Sequence, residues 1–316
     1  MSDTDEVSSQ TLLRQQIVLA KFGEFALRSN NLDKILNEAC RLVGEALGTD
    51  LAKVMELQED GLTLSVRAGV GWKPDVVGVV TLKTGSHTSE GHALATGEPV
   101  ISPNIATETR FKYPAFLTDN GVKAVANVII IGGKDRPPFG IIQIDSREPR
   151  EFTENNLVFL KSYANLLAAA VDRLRVVDET RNGQVKLDIA LAASEMGSWE
   201  VNLRTGLAIC TPRFKEIFGY ANSSRDWMFD TFLDHVIPDD RAHVEAAFRN
   251  TVASGNECRF ECRIRHETTG ETRFIEMRGG RIGDRRPQPC NMHIIGIITD
   301  ITHRVRAEER NRQSQR

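Results

Sequence analysis

The 316 residues carry 40 Lys and Arg against 43 Asp and Glu, a formal charge of −3, with 41% apolar and 26% charged residues. This is the composition of a soluble globular chain long enough for about two domains. It offers no electrostatic footprint for nucleic acid or an anionic membrane, and no apolar run approaches the ~20 residues that cross a bilayer.

The polar, acidic start "MSDTDEVSSQ" has no signal-peptide character and is expected to be a disordered tail over residues 1–10. Apolar residues then recur at helical spacing from Thr11 to about Arg28, at Leu13, Ile17, Ala20 and Leu27. "NNLDKILNEACRLVGEALGTD" predicts a second helix, with Asn30 or Asn31 as N-cap and Gly48 as the stop. "LAKVMEL" and "LTLSVRAGV" read as strands of a hairpin about "QEDG". "SEGHALATG" predicts a short helix capped by Ser89 and stopped by Gly97, followed by the strand "EPVISP". Residues 104–120 look irregular. "VKAVANVIII" and "FGIIQIDS" are strong strands, and residues 152 to about 178 are helical again.

The second half repeats the theme. "LDIALAASEMG" is an amphipathic helix and "SWEVNLRTGLAICTP" predicts two strands about "RTG". Several short helices follow from "RFKEIFGY" to "VASG". The strands "CRFECRIRH", "TRFIEMRGGRI" and "NMHIIGIITDI" and a charged helix complete the chain given. The expected fold class is α+β. Two domains, each a mixed or antiparallel sheet flanked by helices, occupy 11–178 and 197–303, with a connecting helix at 179–196 and an exit helix at 304–316.

Two patterns carry mechanical or chemical content. Leu160, Tyr163, Leu167, Ala170, Leu174 and Val177 follow the 3–4 spacing of a coiled-coil seam, so they predict a homodimer, with packing on the chain's own sheet as the other reading. Gly183 interrupts the stripe, and Val185, Ile189, Ala192 and Met196 resume it out of phase. Cys258, Cys262 and His266 stand four residues apart, as metal ligands on a helix would. On a strand each such step is ~13 Å, too far for one metal. The alternation in "CRFECRIRH" predicts the strand, with the cysteines buried, so no metal is expected.

Residues 30–175 resemble a GAF domain, carried by "LDKILNEACRLVGEALGTD", "EGHALATGEPVISPNIATETRF" and "FGIIQIDSREPREFTENNLVFLKSYANLLAAAV". Residues 187–310 resemble a PAS domain of the extracellular-signal-sensing kind, through "MGSWEVNLRTG", "FKEIFGY", "HVIPDDRAHVEAAF" and "GIITDITHRVRAEE". The order resembles the sensory half of bacterial, especially alphaproteobacterial, sensor histidine kinases. No kinase, cyclase or phosphodiesterase motif is found, so the resemblance implies a non-enzymatic cytoplasmic sensor working with a histidine kinase or response regulator. The alternative it leaves open is a truncated or split kinase whose catalytic part lies on another chain.

The resemblance also directs attention to pockets. In the GAF half, His92, Arg110, Phe111, Tyr113 and Phe116 are candidates for closing over a ligand. Cyclic nucleotide is not expected, because only Phe152 of the family's binding pattern is present. Bilin is not expected because Cys40 sits on the apolar face of its helix. In the PAS half, Trp199, Trp227, Phe232, His235 and Cys262 are the pocket candidates. Haem is not expected, since "DHVIPDDR" is a common turn-like string, and neither is flavin, since "CRF" lacks the surrounding motif. The resemblance gives Asp300 and Thr302 a role in passing the signal to the exit helix, with Asp300 as an N-cap.

Overall fold

The computed structural model describes residues 3–220, 227–282 and 292–314. Met1 and Ser2 of the expected tail, Asn291 of the last predicted strand, and Gln315 and Arg316 of the exit helix lie outside them. The chain divides into two compact units, Met1–Thr180 and Arg181–Arg316.

The first unit opens with α1 (Asp3–Arg28) and α2 (Leu32–Leu47). The helix reaches back to Asp3, into the stretch expected to be disordered, because no glycine or proline stops it between Asp3 and Lys21. Asn31 is the N-cap of α2, accepting from the Lys34 amide, and Gly48 ends it in the left-handed region at φ 63°.

The strands β1 (Leu51–Leu57), β2 (Thr63–Val70), β3 (Thr81–Lys83), β4 (Val100–Ser102), β5 (Ala124–Ile130) and β6 (Gly140–Ser146) form one antiparallel sheet in the order β3-β2-β1-β6-β5-β4. β3 was not foreseen: three residues are too few to show a period. The short helix α3 (Ser89–Thr96) is capped by Thr88, one residue before the Ser89 expected. A single turn, α4 (Ala115–Asp119), lies inside the stretch read as irregular.

Strand alternation gives the sheet two faces. Ala52, Val54, Ala68, Ala126, Ile142 and Ile144 pack with α1, α2 and α5 (Glu154–Ala193) in the larger core. Here the expected seam needs correcting. Leu160, Tyr163, Leu167, Ala170 and Leu174 are buried within this core, Tyr163 stacking on Phe22 at 4.7 Å and donating to the Ala39 carbonyl. Only Val177 of the six is exposed. The chain's own core takes up these five side chains, as the packing alternative has it. The helix α5 also continues through Gly183, whose cost of ~1 kcal/mol does not break it.

The second unit is a six-stranded antiparallel sheet of β7 (Gly197–Asn202), β8 (Leu207–Cys210), β9 (Trp227–Met228), β10 (Cys258–Arg265), β11 (Thr272–Ile282) and β12 (His293–Asp300), in the order β10-β11-β12-β7-β8-β9. The helices α6 (Pro212–Phe218), α7 (Phe229–His235) and α8 (Pro238–Ser254) contribute to the core on one face, and α9 (Thr302–Ser314) follows β12. Cys258, Phe260, Cys262 and Ile264 are buried on one side of β10, as the alternation predicts.

Candidate functional site

The other face of the first sheet carries charge at its centre. Lys53 of β1 and Asn127 of β5 both pair with Gln143 of β6, so the three side chains stand in one row, all fully buried. Asp145 lies two residues along β6 on the same face. The Lys53 Nζ donates to Asp145 Oδ2 at 3.0 Å, with both side chains shut off from solvent. The Gln143 amide donates to Asp145 Oδ1 at 2.6 Å, so both carboxylate oxygens are engaged.

From above, α3 adds Ser89 and Glu90. Asn127 Nδ2 donates to Ser89 Oγ at 2.9 Å, and that hydroxyl donates to Glu90 Oε2 at 3.0 Å. Trp72 lies over the Lys53 ammonium at 4.2 Å from its ring centre and Phe116 at 5.6 Å. Trp72 takes that place because residue 69, on β2 opposite Lys53, is glycine. A Cβ there would come within 2.8 Å of the indole.

Burial pushes the Lys53 pKa down and those of Asp145 and Glu90 up, since desolvation opposes every charge. The mutual attraction of Lys53 and Asp145 works against this. Glu90 has no such close cation. Its Oε1, together with Asn127 Oδ1 and Gln143 Oε1, has no hydrogen-bond partner among the described residues.

Of the five pocket candidates in this unit, two reach the centre. Phe116 is part of its roof. Tyr113 donates to Ser102 Oγ at 2.5 Å and covers the edge. Phe111 is buried beside it, in an apolar cluster with Met55, Val66 and Val76. Arg110 turns outward to pair with Glu108 at 2.6 Å, and His92 is exposed on α3. Sequence reasoning missed Lys53, Glu90, Asn127, Gln143 and Asp145. Their signal was a polar residue alternating with apolar ones in "LAKVMEL", "VANV" and "IIQIDS", which on an isolated sheet would mark its solvent face.

In the second unit, Trp199, Trp227 and Phe232 line a cavity of ~30 Å³, joined by Cys210, Phe214 and Phe248. Both indole N–H groups lack a hydrogen-bond partner among the described residues. Cys262 and His235 are buried but do not line it. His235 Nδ1 faces the Arg265 carbonyl and Nε2 the Tyr220 hydroxyl, each at 3.2 Å, so both ring nitrogens are engaged.

The junction of β12 and α9 is tied to β11. Asp300 Oδ1 accepts from the Thr302 amide, the first of α9, at 2.9 Å, and Asp300 faces Arg273 at 3.6 Å. Thr302 Oγ1 accepts from the Phe274 amide at 2.9 Å. Arg304 of α9 pairs with Glu261 of β10.

Known proteins share both halves. Residues 31–171 match the model of the GAF domain and residues 208–296 that of the PAS fold. The chain is therefore a GAF domain followed by a PAS domain, a sensory signal-transduction module. Among solved structures it is similar to a sensory box histidine kinase/response regulator from Burkholderia thailandensis, with 28% identity over 41% of this chain and 95% of that one, TM-score 0.36. It is similar also to the GAF domain of a phosphoenolpyruvate-protein phosphotransferase from Coxiella burnetii, with 20% identity over 53% of this chain and 98% of that one, TM-score 0.48. A third is the free methionine-R-sulfoxide reductase of Neisseria meningitidis in complex with its substrate, at 15% identity, 52% and 91% coverage, and TM-score 0.44. No curated protein matches the chain. Among the described residues no helix is long and apolar enough to cross a membrane.

Proposed function

We propose that the chain is a non-catalytic sensor whose GAF unit takes a small ligand at the Lys53–Asp145–Glu90 centre. The signal passes along α5 of a homodimer, and leaves through Asp300, Thr302 and α9 toward a histidine kinase or response regulator. The observation that carries the reading is the buried charge itself. Apolar residues of similar volume would serve stability as well or better, so ionisable groups kept under a roof mark a functional site.

Other features agree. Cys40 is the one cysteine of the GAF half, and burial raises its thiol to about 12, far from a thiolate nucleophile. Residues 176–190 of α5 are all exposed, and Val176, Val177, Val185, Leu187 and Ile189 lie among them. Fifteen exposed helical residues gain little from packing in one chain, and a second copy supplies what they lack.

A thermal-shift screen of the full chain against a metabolite collection tests the ligand. At least one compound is expected to raise Tm in the wild-type chain and not in Lys53→Met. A screen with no stabilising compound overturns the reading.

A further inference from the structure

We propose that the GAF polar centre selects a small organic amine in its ammonium form, held by Glu90, Asn127 and Gln143. This rests on the ligand-binding reading above and adds the chemical class of the ligand. The centre presents acceptors. Glu90 Oε1, Asn127 Oδ1 and Gln143 Oε1 belong to side chains that are 3%, 0% and 0% exposed, and none has a hydrogen-bond partner among the described residues. A buried acceptor left unpaired costs ~1–3 kcal/mol, so a donor that reaches all three is strongly favoured.

The orientation of the two amides follows from their neighbours. The Gln143 NH2 serves Asp145 Oδ1, and rotating the amide would set oxygen against carboxylate oxygen. The Asn127 NH2 serves Ser89, whose hydroxyl is committed to Glu90. The oxygens are thus the faces left over. The row of strands brings Asn127 beside Gln143, and Ser89 links Asn127 to Glu90 through two hydrogen bonds.

Charge gives the same answer. Lys53 is hydrogen-bonded to Asp145 and attracts Glu90 only from further off, so Glu90 is the carboxylate without an ion-pair partner of its own among the described residues. A carboxylate or phosphate ligand would meet three oxygens there. An ammonium brings three N–H donors and the missing positive charge. Beside it, Trp72, Tyr113 and Phe116 provide aromatic walls for the carbon chain.

The test is isothermal titration of the full chain with ethylammonium chloride, sodium acetate and potassium chloride, followed by a crystal structure with the best binder. Saturable binding of ethylammonium alone is expected, weakened about tenfold or more in Glu90→Gln and unchanged in the surface control Glu24→Gln. The crystal should place the amine nitrogen within hydrogen-bond distance of the three oxygens. Binding of acetate or potassium instead, full affinity in Glu90→Gln, or only water at the three oxygens overturns the proposal. If the centre holds a molecule of another class, the ligand-binding reading survives and this one fails. If no molecule enters it, both fail.

Discussion

At the scale of residues, the GAF centre shows how one ion pair behaves when water is gone. Lys53 is tolerable only because Asp145 is within hydrogen-bond distance, and Asp145 only because Gln143 holds its second oxygen. Lys53→Met should therefore destabilise the chain by ~3–5 kcal/mol, since a carboxylate is left buried and unpaired. Lys53→Met with Asp145→Leu should recover most of that loss, measured as urea midpoints of the two variants. Glu90 behaves differently. Burial raises its folded pKa above the unfolded value of ~4.3, so holding it charged without a ligand costs stability. The stability it allows is complete below the unfolded pKa and is lost as pH rises through the folded one. Glu90→Gln should thus be more stable than wild type, with a Tm difference that grows as pH increases from acidic to neutral. A difference that is constant with pH would refute this. These residues were hard to read from sequence. Lysine, asparagine and glutamine on alternate strand positions usually face water, and nothing local announces the roof formed by Trp72, α3 and Phe116.

At the scale of elements, the β12–α9 junction is the clearest mechanical coupling within the PAS unit. Thr302 binds the backbone of β11 with its hydroxyl while Asp300 accepts from the first amide of α9, so two side chains two positions apart tie the helix to the sheet. Thr302→Val removes the hydroxyl at nearly constant volume. It should cost ~1 kcal/mol and raise amide exchange in α9 more than in β7 or β12, read by hydrogen–deuterium exchange. The resemblance to PAS domains pointed to Asp300 and Thr302, which stand close together in "TDITHR". The seam on α5 was only half legible. Its 3–4 spacing is the same for a helix packing on a sheet and for one packing on a second helix, and the core settled the matter for Leu160 through Leu174.

At the scale of the whole molecule, the exposed stretch of α5 makes oligomeric state the decisive measurement. Light scattering of the full chain should give a dimer. Leu187→Asp with Ile189→Asp, both exposed and so harmless to a monomer, should give monomers with unchanged circular dichroism per residue in the two sheets. A wild-type monomer would remove the homodimer from the proposed route. Sequence by itself determined the two α+β domains, their order, the strand character of "CRFECRIRH" and the Gly48 and Gly97 stops of α2 and α3. Each of these rests on periodicity or on residues close together in the chain. Tertiary structure alone decided which polar residues meet. Lys53, Glu90, Asn127, Gln143 and Asp145 come from three strands and a helix, and their burial is created by a roof that no short stretch of sequence encodes.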